Sequence, residues 1–137
     1  MKKDVIISIR HPFAEKIYQN DKTVVLRRRR LSLDLGTRVW IYEPLPVGKV
    51  TGLFIYRGLY CEKPMILWHI LLKYKERVGI DIKDFLKYCD GADKMYAWII
   101  DQPCRCRPFD LRNIGISRAP QSYMFYDAEI LENISKS

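Results

Sequence analysis

At 137 residues, 48% apolar and 12% aromatic, the chain is long enough for one buried core and too apolar for a disordered protein. Its formal charge of +8 is unevenly placed. Residues 1–60 hold twelve Lys/Arg against five Asp/Glu, a balance of +7; residues 61–137 hold twelve against eleven, a balance of +1. A basic field confined to one half favours a polyanionic partner, nucleic acid first, and one domain spanning 1–137 is expected.

Val5-Ile6-Ile7-Ser8-Ile9 reads as a short central strand, apolar on both faces except at Ser8. His11-Pro12-Phe13 opens a helix, with Pro12 suited to its first turn and Phe13/Ile17 and Ala14/Tyr18 paired at i,i+4. Asn20 can end it in the left-handed conformation that glycine usually fills. Lys22 to Arg30 then reads as a strand in which Val24 and Leu26 face inward and Arg28 and Arg30 prolong that face, with Thr23, Val25, Arg27 and Arg29 opposite. An arginine row on a rigid strand is an array of planar donors suited to phosphate or a base edge. The same row equally suits a solvated strand edge kept basic against aggregation.

Arg38–Tyr42 and Lys49–Tyr56 read as strands, with a bulge or bend at Gly52. Pro64 starts a helix whose stripe of Leu67, Ile70, Leu71, Tyr74 and Val78 predicts a core-facing side. Asp81 is placed to cap another helix, running to about Tyr88. Met95–Ile100 reads as a strand, Pro103 and Pro108 bracket a cysteine-bearing connection, Arg112–Gln121 a loop, and Tyr123–Ile130 a last strand. About six strands with two to four flanking helices predict an α+β fold built on a small, mixed, mostly antiparallel barrel.

Cys61, Cys89, Cys104 and Cys106 include no C-x-x-C pair, and only His11 and His69 could join them, so no metal site is expected. The Met65–Leu72 stretch is too short to span a bilayer, and the start of the chain lacks a signal-peptide pattern; a cytoplasmic protein with reduced thiols, and no membrane partner, is expected. The chain shows no G-x-S-x-G, phosphate-binding glycine loop or His/Glu metal motif.

The run Ile7-Ser8-Ile9-Arg10, Ala14-Glu15-Lys16-Ile17 and Lys22 to Arg29 resembles the opening of ASCH-domain proteins, which share a PUA-like β-barrel. Ile41 to Gly52, Gly91 to Ala97 and Arg118 to Tyr123 resemble later segments of that family, in the same order. The resemblance implies a cleft beside the barrel where Lys22, Thr23 and Arg27 meet Gln121-Ser122-Tyr123. It also implies RNA binding, with nuclease activity, or amidohydrolase activity on an acetylated cytidine, in some relatives. In the amidohydrolase type a lysine matching Lys22 works with a threonine three residues on and a glutamate. Here Val25 stands at the threonine position and Glu76 is the nearest candidate acid.

RNA or nucleotide binding in a basic cleft is therefore expected. Lys22, Arg27, Arg28, Arg29 and Lys49 would meet phosphate or base edges, Tyr42 or Tyr123 would stack a base, and Ser8, Thr23, Gln121 and Ser122 would hydrogen-bond. No cofactor is expected, except a divalent metal if the protein is a nuclease. The alternatives are an RNA or modified-nucleoside hydrolase with Lys22 and Glu76 as catalytic groups, and a regulatory protein-interaction domain.

Overall fold

In the computed structural model, which describes residues 2–136, one six-stranded mixed sheet carries four α-helices. The elements run β1 (Lys3–Ser8), α1 (His11–Tyr18), β2 (Val24–Arg27), β3 (Arg38–Glu43), β4 (Lys49–Glu62), α2 (Pro64–Lys73), α3 (Ile82–Tyr88), β5 (Met95–Phe109), β6 (Tyr123–Asp127) and α4 (Ala128–Ser135), with a 3₁₀ turn at Leu111–Ile114. The strand order is β2-β5-β4-β3-β1-β6, and only the β1–β3 pair is parallel. The α+β class is thus as the sequence predicts.

The apolar run in β1 follows from its place between β3 and β6. Val5 and Ile7 enter a core with Val39, Ile41, Phe54 and Trp98, while Ile6 faces Trp40 and Leu131 on the other side. A third cluster packs α2 and α3 through Leu67, Leu71 and Phe85 onto Val24, Met95 and Ala97. On the Trp40 side of the sheet Asp4 is fully buried; its Oδ2 accepts from Trp40 Nε1 and Arg38 Nε, each at 2.9 Å, while its Oδ1 has no hydrogen-bond partner. Those two donors offset part of the cost of burying the carboxylate.

Strands β4 and β5 are far longer than their apolar patterns predict, and their pairing slips register three times. Each slip bends the ribbon and curls the sheet, which stays open where the sequence predicts a barrel, since β2 and β6 do not pair. Pro103, expected in a connection, sits inside β5 between the Ile55–Asp101 and Leu53–Cys104 pairs, where a register shift needs no proline N–H. At Gly52 a Cβ would lie 2.4 Å from the Cys104 carbonyl oxygen and 2.5 Å from the Tyr18 hydroxyl.

Three boundaries differ from the sequence pattern. The basic strand stops at Arg27, and Arg28 and Arg29 form a bend. Helix α2 ends at Lys73 because the chain turns left-handed at Lys75 (φ 57°), so Val78 reaches the core from the following segment while Tyr74 lies exposed. The last strand ends at Asp127, whose carboxylate accepts from Ile130 N at 3.1 Å and starts α4. Asn20 (φ 64°) and Asp81, which accepts from Asp84 N at 2.8 Å, act as their sequence positions predict.

Replacing Gly52 with alanine is expected to cost about 2–3 kcal/mol, because the clash is with backbone on one side and a bonded tyrosine on the other. Urea unfolding followed by tryptophan fluorescence would measure it. A loss below about 0.5 kcal/mol would show that the β4–β5 bulge relaxes freely.

Candidate nucleic-acid interface

The two outer strands, β2 and β6, are each paired on one side only. Side chains bridge the gap between them. Arg27, the last residue of β2, donates through Nη2 to the Ser122 hydroxyl just before β6. Its guanidinium lies 5.0 Å from the Trp98 ring centre and 6.0 Å from that of Tyr123. Burial lowers its pKa from the usual arginine value, and Nε is buried without a hydrogen-bond partner.

At this seam opens a cleft of about 520 Å³, within the size range of small-ligand sites. It is bounded by the start of α1, by β2 and the bend after it, by α3 and by the Gln121–Ser122 segment. Five cations line it, Arg10, Lys22, Arg27, Arg28 and Arg29, against one carboxylate, Asp84. Phe13 and Tyr88 add aromatic faces and Val25 and Ile80 an apolar floor. Ser8 fixes the far lip: its Oγ donates to Pro120 O at 2.6 Å and its N–H to Ser122 O at 3.3 Å.

Lys22 is the most enclosed of the cations, with 6% of its surface exposed. Its Nζ donates to Val78 O at 2.7 Å and stands 5.6 Å from the Phe13 ring centre. Gly79 lies along the stem, where a Cβ would come within 3.1 Å of Lys22 Cγ. Among the described residues, no carboxylate pairs with the ammonium. Burial, reinforced by Lys16, lowers its pKa from 10.5 to about 8.

Arg28 is held at the opposite end. Its Nη1 donates to Tyr88 O (2.7 Å) and Asp90 O (3.0 Å), satisfying carbonyls at the end of α3. Arg29 and Gln121 are exposed and keep their polar groups clear of internal partners.

The cleft thus gathers Ser8, Lys22, Arg27, Arg28, Arg29, Gln121 and Ser122 from the residues singled out in the sequence. Thr23 and Glu76 lie elsewhere. Although Thr23 shares the strand parity of Val25 and Arg27, it is engaged by the segment after α2, where its Oγ1 accepts from Arg77 N at 2.8 Å. Its Oγ1 donates to Glu76 Oε1 at 2.7 Å, and Tyr60 donates to Glu76 Oε2 at 2.8 Å, which ties the segment after α2 to β2. Glu76 is therefore not paired with Lys22. Val25, in contrast, does line the cleft, presenting methyl groups where the resemblance places a hydroxyl.

Tyr42 is buried beside Trp40 and Phe109, and Lys49 is ion-paired with Asp110 at 3.1 Å; neither borders the cleft. Tyr123 stands at the seam, half-exposed, edge-on to Phe125 at 5.9 Å. Sequence reasoning missed Arg10, Phe13, Asp84 and Tyr88 as cleft residues. The i,i+4 spacing of Asp84 and Tyr88 on α3 was the available signal. Among the described residues, no cluster of three or more His, Cys, Asp or Glu is placed to hold a metal ion, and no helix is long and apolar enough to cross a membrane.

No family model matches the chain. It is 29% identical over 125 residues, 88% of this chain and 82% of the relative, to an ASCH domain-containing ribonuclease of Zymomonas mobilis subsp. mobilis. Crystal structures of ASCH from Zymomonas mobilis superpose closely. The parent protein gives a TM-score of 0.84 at 26% identity, over 96% of this chain and 92% of that one. A tyrosine-to-phenylalanine mutant gives 0.85 at 26% identity, over 97% and 96%.

The burial of Lys22 predicts a pH-dependent stability. Its folded pKa, about 8, lies below the unfolded 10.5, so the unfolded chain holds more protons between these values and stability rises with pH across that window. Below it the charged lysine costs on the order of 3 kcal/mol, partly offset by its hydrogen bond. Lys22→Met should therefore be about 1–2 kcal/mol more stable than the parent at pH 7, with the advantage shrinking towards pH 10. Thermal melts across that range would read it; a variant less stable at neutral pH would refute it.

Proposed function

We propose that this chain, which is similar over most of its length to ASCH-domain proteins, binds single-stranded RNA, or a nucleotide, in the cleft at the β2–β6 seam. The observation that carries this reading is the convergence of five cations with the free Gln121 amide and two aromatic rings in one cleft of about 520 Å³. Guanidinium forks on a fixed bend match phosphate oxygens. Phe13, Tyr88 and, at the mouth, Tyr123 offer faces for a base, and Gln121 and Ser122 offer donors and acceptors for its polar edge. A splayed, unpaired base fits such a pocket, whereas a duplex keeps its edges inside the helix. The four free cysteines accord with the reducing cytoplasm as its location.

A second reading, hydrolysis of the bound RNA, is favoured by Lys22. With a pKa of about 8, a fraction near one tenth of it is neutral at pH 7 and able to accept a proton from an attacking hydroxyl. The neighbouring arginines would stabilise charge building on the phosphoryl oxygens. The Zymomonas mobilis relative is called a ribonuclease, in line with this reading. If a divalent ion takes part, Asp84 is the one carboxylate bordering the cleft, so RNA phosphates and water would supply most of its ligands.

Anisotropy of a labelled single-stranded RNA, titrated at 50 and 200 mM salt, tests the binding. Four phosphate contacts predict a loss of about 50-fold between the two, and Arg27→Ala should weaken binding about tenfold at low salt. A flat salt dependence refutes the reading; no binding at either salt would turn attention to a protein partner.

The same RNA on a gel, with and without Mg²⁺, separates recognition from cleavage. Cleavage by Lys22 acting as base should increase with pH to a plateau above about 8 and vanish in Lys22→Met while binding persists within a few fold. Turnover surviving in that variant removes Lys22 from the chemistry.

A further inference from the structure

Beside the main cleft lies a second cavity of about 390 Å³, bordered by Arg28, Arg29, Ala92, Asp93, Lys94 and Tyr96. Arg28 and Arg29 border both cavities. Strand β2 stops at Arg27, so the next two arginines leave the sheet and stand as a basic divide between the two hollows. Arg28 is anchored to the end of α3 by its bonds to Tyr88 O and Asp90 O, which gives that divide a fixed position.

The second cavity carries three cations against one carboxylate, a balance of +2. Among the described residues, the charged groups of Arg29 and Lys94 and the Tyr96 hydroxyl have no hydrogen bond or ion pair within the chain. Uncommitted cations around a concave surface attract an anion more strongly than the same charges already neutralised by carboxylates.

We propose that the second cavity is the subsite for the neighbouring nucleotide, so that the ligand is a single-stranded oligoribonucleotide and not a free nucleoside or mononucleotide. This rests on the reading of the first cleft as an RNA site. The phosphate joining the two nucleotides lies over the Arg28–Arg29 divide, where both hollows meet. Lys94 holds the next phosphate, and Tyr96 and Asp93 face the second base, Asp93 as an acceptor for an exocyclic amine. The first cleft alone matches one nucleotide in size, and a ligand confined to it would leave Lys94 and Tyr96 idle.

The test compares wild-type protein with Lys94→Ala, using the mono-, di- and trinucleotides of adenylate and uridylate at low salt in isothermal titration. Lys94 is exposed and without an internal partner, so its loss leaves the fold intact. The expected result is wild-type affinity about tenfold higher for the dinucleotide than for the mononucleotide. Lys94→Ala should bind the trinucleotide about fivefold more weakly, with a salt slope smaller by about 0.7, and the mononucleotide unchanged. Mononucleotide binding with no gain on lengthening, or a Lys94→Ala variant equal to wild type on the trinucleotide, overturns the subsite and leaves the cleft standing. Failure of every nucleotide of either series to bind wild type overturns the cleft reading, and the subsite with it.

Discussion

The geometry of this protein turns on a closure that the backbone does not make. A six-stranded sheet curled by three register slips brings β2 and β6 to face each other, but they are joined by the Arg27 side chain and not by a hydrogen-bond ladder. A backbone ladder would have set the strands about 4.8 Å apart and left no opening. Joining them through a long guanidinium, stacked over Trp98, leaves room for a cleft and places its central cation inside the seam. The residue that holds the two edges together is thus also the one best placed to meet a ligand.

Such a seam is stable only if its charge is tolerated. Arg27 gains from two aromatic faces and a serine hydroxyl, yet leaves Nε buried without a partner. Lys22 gains one carbonyl and lies near Lys16, with no counter-ion among the described residues. An unpaired buried donor or charge costs a few kcal/mol, a large part of a small domain's margin. Asp4 also leaves one buried oxygen without a partner, but its other oxygen accepts from two donors, one of them the Arg38 cation, whereas among the described residues no opposite charge pairs with Lys22. An anionic ligand in the cleft would supply that charge.

The sequence made the elements legible wherever local physics decides them: the all-apolar β1, the Asn20 and Asp81 caps and the Gly52 bulge each follow from a few neighbouring residues. It misled where distant contacts decide. The arginine run looked like one continuous strand, but the end of α3 draws Arg28 out to satisfy its carbonyls, and the strand stops. The alternation through Tyr123–Ile130 hid a helix start that depends on the Asp127 cap. For the site, family resemblance located Lys22, Arg27 and Ser122, whereas Arg10, Phe13 and Tyr88 join the cleft only through the packing of α1 and α3. Thr23 shows the limit of adjacency: one residue from Lys22, it spends its hydroxyl on Glu76.

The bend at Arg28 and Arg29 links these observations. A straight strand would have put alternate arginines on opposite faces of the sheet, half of them away from the cleft. Ending the strand at Arg27 releases both following residues to the same rim, and the α3 carbonyls fix the first of them there. The basic run therefore serves as a boundary between two hollows of opposite outlook, one floored by Val25 and Ile80, the other open to Lys94 and Tyr96. A polymer with a charge at every joint suits such a boundary better than a single charged molecule, because only the polymer can occupy both sides while placing a phosphate on the divide.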